Sequence, residues 1–327
     1  MDRRYDIDWI RVIVLGILIF YHAWASFMPF AKSIFMPQNE DFLIPMGILM
    51  SLINIWRIPI LFMISGMGIF FAMQSRNWKQ MVNDRIKRIF LPMFFGFLFI
   101  GPLTAFFGML FYDEELAWYP SLFHLWFLLN IWIYFCVLLP LFLYLQNRPN
   151  NFLFTKLQSI ISLRFGIYIF ALPFLIEALV IDPQDYPSYA TTLHGWVLGL
   201  ICFTCGFIFV SLKDYFWNAL EKIKSFSLVV AFSLYMYRLL TMELWAPSIF
   251  IAFESFNWMI AILGYSAKYL NQPSKRLGYL SAAVYPIYIL HFPIQYFFSL
   301  YILPLPTSAF IKFILLVLCV FGVSFTI

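Results

Sequence analysis

The first 27 residues, MDRRYDIDWIRVIVLGILIFYHAWASF (1–27), contain an apolar run long enough to cross a bilayer. A helix needs about 20 predominantly apolar residues to span the hydrocarbon core. Two ionisable residues, Arg11 and His22, nevertheless lie inside this run. Because such side chains are costly at membrane depth, they usually face an interior cavity and carry function. This stretch therefore predicts both a membrane-spanning fold and a functional site.

The composition extends this interpretation to all 327 residues. Hydrophobic residues make up 63% of the sequence and charged residues 11%, and the mean hydropathy is +0.85. These values exclude an ordinary soluble domain. The net charge of +5 does not indicate nucleic acid, because the basic residues lie between apolar runs, where orientation against the membrane explains them. We expect a lipid bilayer, and no nucleic acid, among the partners.

Ten apolar segments are long enough to be spans. They lie near 8–29, 44–73, 90–111, 122–145, 165–181, 194–212, 226–244, 247–265, 281–301 and 308–327. No repeat or soluble segment interrupts them, so we predict an all-α polytopic membrane protein with a single domain over 1–327. The last run reaches Ile327 without a charged tail, which indicates either a truncated chain or an unusually bare final helix.

The basic residues test this count. With ten spans and a cytoplasmic N-terminus, 16 Lys and Arg residues face the cytoplasm and only Lys32 lies on the other side. The 16 are Arg3, Arg4, Arg76, Lys79, Arg85, Lys87, Arg88, Arg148, Lys156, Arg164, Lys213, Lys222, Lys224, Lys268, Lys275 and Arg276. Cytoplasmic loops carry such an excess, and an error in the count would scramble it. We therefore predict that both termini are cytoplasmic.

Arg11 and His22 share one face of the first helix. At 100° per residue, eleven positions return His22 to within ~20° of Arg11, about three turns and ~16 Å along the axis. Asp8 lies one turn before Arg11 on the same face. The alternative interpretation is an Asp8–Arg11 ion pair at the interface and a packing histidine deeper in the span.

These residue types suit the transfer of a group from a phosphorylated donor to an alcohol. A desolvated histidine can accept the proton of an attacking hydroxyl group. The planar guanidinium of Arg11 can bind phosphate oxygens. Arg85 and Arg88, one turn apart in the basic segment after the second span, add further cations. Since cytoplasmic loops are basic in any case, ordinary membrane orientation also explains this pair.

Other ionisable residues lie close to the ends of predicted spans. We expect water at the membrane interface to solvate them. They are His124, Glu177, His194, Glu243, Glu254 and Lys312.

Five motifs, taken in order, resemble the membrane-bound acyltransferase-3 family. They are Arg11-x10-His22, FMISGMGIFF (62–71), RIKRIFLP (85–92), HLWFLLNIWIYF (124–135) and the segment AAVYPIYILHFPIQYF that begins at Ala282. The likeness runs from end to end, and HLWFL is similar to the glucan-modifying branch (glucan biosynthesis protein C-like), whose members place succinyl groups on periplasmic glucans. The resemblance implies an acyltransferase-3-like bundle in the cytoplasmic membrane of a bacterium.

The resemblance also implies an activity and a set of site residues. Acyl-CoA would donate an acetyl or succinyl group to a hydroxyl of a carbohydrate or cell-envelope glycan, with no tightly bound cofactor and no metal. His22 would be the catalytic histidine and Arg11 its motif partner, while Arg85 and Arg88 would lie at the acyl-CoA end of the site.

Three further residues are predicted to line the substrate cavity. They are Arg57 in the second span, Trp126 in the fourth and His291 in the ninth. His291 either orients His22 or lines the acceptor path, and the alternative is a hydrogen-bonded packing histidine. His22 itself could act as a base or as a nucleophile.

Two other functions stay open from the sequence. Ten spans with buried arginine, histidine and glutamate also fit a multi-span transporter. A membrane-bound O-acyltransferase of a different family would instead use His291 as its catalytic histidine and keep His22 for structure.

Overall fold

The structure is a computed structural model that describes residues 3–148, 151–241 and 246–326. Its helices of ten or more residues are α1 Tyr5–Ala25, α2 Ile44–Met73, α3 Trp78–Tyr112, α4 Phe123–Gln146, α5 Phe152–Ile161, α6 Gly166–Ile181, α7 Leu193–Ser211, α8 Asp214–Thr241, α9 Ser248–Tyr269, α10 Lys275–Ile302 and α11 Ala309–Thr326.

Within the described ranges, nine of these helices are long and apolar enough to cross a membrane, all except α5 and α6. This confirms the predicted all-α polytopic fold. The segment predicted as a span at 165–181 is instead the shorter helix α6, which opens with a 3₁₀ segment, Gly166–Ala171. A 3₁₀ helix rises further per residue than an α-helix, so α6 extends more than its length suggests. The cytoplasmic placement of the termini stays a prediction.

The basic segment after the second span is helical, so the third helix begins well before the span predicted at 90–111. Helix α3 begins at Trp78 and contains Arg85 and Arg88. Asn77 caps it, because its side chain accepts from the Gln80 backbone N–H at 3.0 Å while the Gln80 side chain accepts from the Asn77 backbone N–H at 3.0 Å. This reciprocal capping box starts the helix well before its apolar part.

The chain divides into two compact units. The first comprises Met1–Ile10, Ser51–Arg88 and Leu128–Pro273, and the second comprises Arg11–Met50, Ile89–Phe127 and Ser274–Ile327.

In the first unit, α2 and α7 cross in close contact at two glycines. A Cβ atom on Gly66 would collide with the backbone carbonyl of Phe203, and one on Gly206 would collide with that of Met63. Small residues of this kind let membrane helices approach backbone to backbone.

Pro59 lies inside α2 without ending the helix. Proline has no backbone N–H, so the carbonyl four residues earlier, that of Ile55, loses its helical partner. The hydroxyl groups of Tyr189 and Ser255 donate to this oxygen at 2.9 and 2.7 Å. The first unit therefore satisfies the freed carbonyl with two buried side chains.

Two buried polar pairs also belong to the first unit. Arg238 donates to both carboxylate oxygens of Glu254, at 2.9 and 3.1 Å. The Nδ1 atom of His194 lies 2.7 Å from Oε1 of Glu177. All four side chains are buried, so the expectation that water solvates His194, Glu177 and Glu254 is wrong. Glu243 lies outside the described residues.

In the second unit, α1, α10 and α11 enclose the core. Its fully buried members include Ile19, Phe27 and Leu316. Lys312 is buried as well, and its ammonium group donates to the Leu303 carbonyl at 2.6 Å and to Asn39 Oδ1 at 3.1 Å. The expectation of a solvated Lys312 is therefore wrong, because the side chain anchors the segment that follows α1.

Candidate active site

His22 and His291 are hydrogen-bonded to each other in the second unit. His22 lies near the end of α1 and His291 in the middle of α10, and His22 Nδ1 is 3.0 Å from His291 Nε2. The ring planes differ by 5° and the centroids are 5.2 Å apart. Since the two nitrogens are much closer than the centroids, the rings meet edge to edge. His22 is half-buried and His291 is fully buried.

The backbone of α10 determines which nitrogens carry hydrogen. His291 Nδ1 lies 2.8 Å from the Tyr288 carbonyl and 3.2 Å from the Ile287 carbonyl. A carbonyl only accepts, so Nδ1 is the donor, and Nε2 of neutral His291 is an acceptor. His22 Nδ1 must then donate to it, which leaves the lone pair of His22 on Nε2. The pair therefore presents a basic nitrogen at a defined position on His22.

A third histidine, His124, completes the group, which we call the histidine cluster: His22, His124 and His291. It lies in the first turn of α4 and is only 6% exposed. Its ring centroid is 5.0 Å from that of His291 and 4.7 Å from that of Phe292. The expectation that water solvates His124 is therefore wrong. The sequence placed it correctly at the start of a span but did not show that α10 covers it.

Pro293 supplies the partner of His124. It lies inside α10, and its missing N–H frees the carbonyl four residues earlier, that of Ile289. His124 Nε2 lies 3.1 Å from this oxygen and donates to it. Tyr288 holds the backbone of His124, because its hydroxyl group donates to the His124 carbonyl.

Gln295, which the sequence did not single out, fastens α10 to the end of α1. Its Nε2 donates to the His22 carbonyl at 2.8 Å and to Ser26 Oγ at 3.2 Å. Gln295 is fully buried. It lies four residues after His291, one helical turn away on the same face. That spacing, together with an amide in an apolar span, is the signal that could have found it.

The remaining predicted site residues are divided between the two units. Arg11 and Trp126 belong to the second unit and are half-buried. Arg57, Arg85 and Arg88 belong to the first unit. Arg57 is 3% exposed and donates to Asn54 Oδ1 at 2.9 Å, whereas Arg85 is half-buried and Arg88 exposed. The structure therefore brings His22 and His291 together, and the roles of the arginines and Trp126 stay predictions.

The histidine cluster does not form a metal centre in the part of the chain that the structure describes. No group of three or more His, Cys, Asp or Glu residues there could hold a metal ion. Carbonyl oxygens occupy His291 Nδ1 and His124 Nε2, which removes two nitrogens that could serve as ligands.

Comparison with known proteins identifies the family. A family model described as an acyltransferase domain, that of the acyltransferase-3 family, matches residues 4–327. No curated protein and no solved structure matches the chain in the corresponding comparisons. The matched region contains all five motifs, every predicted site residue and the histidine cluster. The chain is therefore a multi-pass membrane acyltransferase that belongs to the acyltransferase-3 family.

Proposed function

We propose that this enzyme transfers an acetyl or succinyl group from cytoplasmic acyl-CoA to a hydroxyl of a carbohydrate or cell-envelope glycan, across the cytoplasmic membrane of a bacterium. The observation that supports it most is the His22–His291 hydrogen bond, at 3.0 Å, inside a family-matched chain. This bond leaves the basic nitrogen of His22, the histidine of the motif Arg11-x10-His22, at Nε2. Succinyl transfer to a glucan, the activity of the branch that HLWFL resembles, is one form of this proposal.

In the first route, His22 acts as a general base. The acceptor hydroxyl gives its proton to His22 Nε2 as its oxygen attacks the thioester carbonyl. A carbon–oxygen bond forms, the carbon–sulfur bond breaks, and the CoA thiolate takes the proton from the His22 imidazolium. Throughout, Nδ1–H of His22 donates to His291, which holds the ring in one orientation.

In the second route, His22 Nε2 attacks the thioester itself. A carbon–nitrogen bond forms as the carbon–sulfur bond breaks, and CoA leaves as the thiolate. The acceptor oxygen then attacks the acyl carbon, the carbon–nitrogen bond breaks, and the hydroxyl proton passes through water to the released thiolate. Both routes use the same nitrogen and depend equally on His291. They differ in whether CoA is released before an acceptor binds.

The donor would be held by its phosphates. We assign Arg11, Arg85 and Arg88 to these groups, because guanidinium forks bind phosphate oxygens and because all three lie on the predicted cytoplasmic side. Arg57 and Trp126 are proposed to contact substrate. No tightly bound cofactor is needed, since the acyl-CoA thioester supplies the activated group.

The test uses purified protein in lipid nanodiscs with acetyl-CoA or succinyl-CoA, and follows the release of the CoA thiol. We expect turnover to depend on an added glycoside and to be abolished by His22→Ala. Acyl transfer that survives His22→Ala would overturn the proposal. If the His22→Ala variant retains acyl transfer and the His291→Ala variant loses it, His291 would instead be supported as the catalytic histidine.

Mass spectrometry of the cell-envelope glycans identifies the group transferred. Deletion of the gene should remove an ester that the complemented strain restores. Loss of acidic half-esters favours succinyl, and loss of neutral esters favours acetyl. Unchanged envelope glycans would contradict the assignment of a glycan acceptor.

A further inference from the structure

Two buried hydrogen-bond acceptors lie in and beside the histidine cluster with no donor among the described residues. They are His124 Nδ1 and Gln295 Oε1. We propose that both atoms bind hydroxyl groups of the acceptor other than the one that reacts, so that the enzyme selects a polyhydroxylated acceptor. This inference rests on the proposed function and deepens it by naming the residues that recognise the substrate class.

The assignment of His124 Nδ1 as an acceptor follows from its other nitrogen. Nε2 donates to the Ile289 carbonyl at 3.1 Å, so the lone pair of the neutral ring is on Nδ1. The ring belongs to the site, because Phe292 packs on His124 and His22 at centroid distances of 4.7 and 4.8 Å. The Nδ1 atom is thus buried on a ring that shares the Phe292 contact with the proposed catalytic histidine.

The orientation of the Gln295 amide is fixed in the same way. The His22 carbonyl, 2.8 Å from one end of the amide, only accepts, so that end is Nε2. The other end is therefore Oε1, which can only accept. Oε1 therefore belongs to a buried side chain that is in direct contact with the backbone of His22.

Because both atoms accept hydrogen bonds, the ligand that binds them must supply hydrogen-bond donors. A buried acceptor without a donor costs about 1–3 kcal/mol, which a ligand donor can recover. Anionic groups such as carboxylate or phosphate supply only acceptors and would leave both atoms unsatisfied. A simple alcohol offers one hydroxyl, and that one reacts. A carbohydrate offers the reacting hydroxyl and its neighbours, which matches the acceptor atoms at this site.

The experiment compares two acceptors built on a six-membered ring, methyl α-D-glucopyranoside with several hydroxyl groups and cyclohexanol with one. Acetyl-CoA and succinyl-CoA are the donors, and the full chain is in nanodiscs. We expect wild-type kcat/KM to favour the glucoside by ~100-fold or more, since a site that hydrogen-bonds hydroxyl groups rejects analogues lacking them. His124→Phe keeps the ring packing and removes Nδ1, and Gln295→Met keeps the side-chain length and removes Oε1.

Each of these two variants should reduce the preference for the glucoside over cyclohexanol by about tenfold, which corresponds to the loss of one hydrogen bond. The KM for the acyl-CoA should not change. His124→Asn, whose amide oxygen can take the place of Nδ1, should retain more of the preference than His124→Phe. The matched control is Ser26→Ala, which removes a partner of Gln295 Nε2 and leaves Oε1 intact, and it should keep the wild-type ratio.

An unchanged preference in His124→Phe and Gln295→Met would overturn the inference while leaving acyl transfer in place. A raised KM for acyl-CoA at a constant ratio would also overturn it, because the two atoms would then bind amide N–H groups of the donor. If His124→Phe fails to fold, the ratio of kcat/KM for the two acceptors in Gln295→Met tests the inference. Wild-type protein that releases no CoA with either acceptor would overturn the proposed function itself.

Discussion

Each unit contains a histidine in a hydrogen-bonded pair, His194 with Glu177 in the first unit and His22 with His291 in the second, and the pairs differ in where their hydrogens lie. In the first unit, His194 contacts Glu177 Oε1 at 2.7 Å through Nδ1 and the Tyr186 carbonyl at 3.0 Å through Nε2. Protein oxygens thus occupy both nitrogens. In the second unit, the chain of bonds runs from the Tyr288 carbonyl through His291 to His22 Nδ1, and the lone pair falls on His22 Nε2. His194, Glu177 and His291 are all buried, so the arrangement of hydrogens and the half-buried position of His22 distinguish the catalytic candidate from the structural pair.

The surroundings of His194 support a structural role. Tyr186 lies in the segment between α6 and α7. Burial raises the pKa of its phenol well above the usual value, and the nearby Glu177 carboxylate raises that pKa further. The phenol therefore stays protonated. Through its bonds to Glu177 and to the Tyr186 carbonyl, His194 fastens this connecting segment to α7.

The largest expected effect is on the chemistry of the His22 pair. His291→Ala should lower kcat by ~10²-fold, because His22 loses the group that holds its ring and fixes its tautomer. If His291 acts only through His22, His291→Gln, whose amide oxygen can accept from His22 Nδ1, should recover part of this loss. CoA release by the two variants measures this. Equal losses in His291→Ala and His291→Gln would contradict a positioning role for the acceptor atom of His291.

The next effect is on stability and concerns the His194 pair. Glu177→Ala leaves His194 Nδ1 buried without its partner, which should cost about 1–3 kcal/mol of folding free energy. We expect a lower midpoint of thermal unfolding in nanodiscs, with kcat of the folded protein within about twofold of wild type. Glu177→Gln, which keeps a hydrogen-bonding group, is the matched control and should lose less. A large fall in kcat without a fall in stability would erase the distinction between the pairs.

A smaller effect is expected from the prolines that free backbone carbonyls. Pro293→Ala restores an N–H that competes with His124 for the Ile289 oxygen, so we expect about a threefold rise in the KM for the glucoside. Pro59→Ala makes the same change at Ile55 in the first unit and should leave that KM unchanged. Steady-state kinetics on both variants checks this, and equal effects on KM would contradict a role for Pro293 in the site.

The smallest expected effect comes from Tyr288→Phe. The variant removes the hydroxyl that donates to the His124 backbone carbonyl but keeps the ring. The His124 side chain keeps its own bond to Ile289, so the KM for the glucoside should rise by no more than about twofold. Kinetics with saturating acyl-CoA measures this. A loss as large as that of His124→Phe would mean that the backbone at His124, and not Nδ1, determines acceptor binding.

The sequence predicts the fold well because the signal is length and hydropathy. Nine of ten predicted spans are membrane-length helices among the described residues. The exception, α6, combines 3₁₀ and α turns, which hydropathy does not distinguish. The helical start of α3 was missed because Asn77 and Gln80 cap it in a polar segment, where a hydropathy pattern gives no signal.

The site was predictable only in part. Motif spacing found His22 and His291, but their contact joins residues 269 positions apart in the chain, which no local pattern encodes. His124 was judged by its place at the end of a span, although burial depends on the packing of α10 over it. Gln295 carries no charge, so the cost of burying ionisable groups does not distinguish it from its neighbours. Its role depends on the His22 backbone carbonyl, which has no sequence signature.

The bond between His124 and the Ile289 carbonyl also has a consequence for synthesis. The two residues are 165 positions apart, so at ~5–20 residues per second the ribosome makes Ile289 roughly 8–33 s after His124. The delay is longer for His22, whose partner His291 follows it by 269 positions. Helices α1 and α4 must therefore enter the bilayer with polar side chains that have not yet met their partners. The arrival of α10 then supplies partners for both histidines at once, so we expect the histidine cluster to form late in folding.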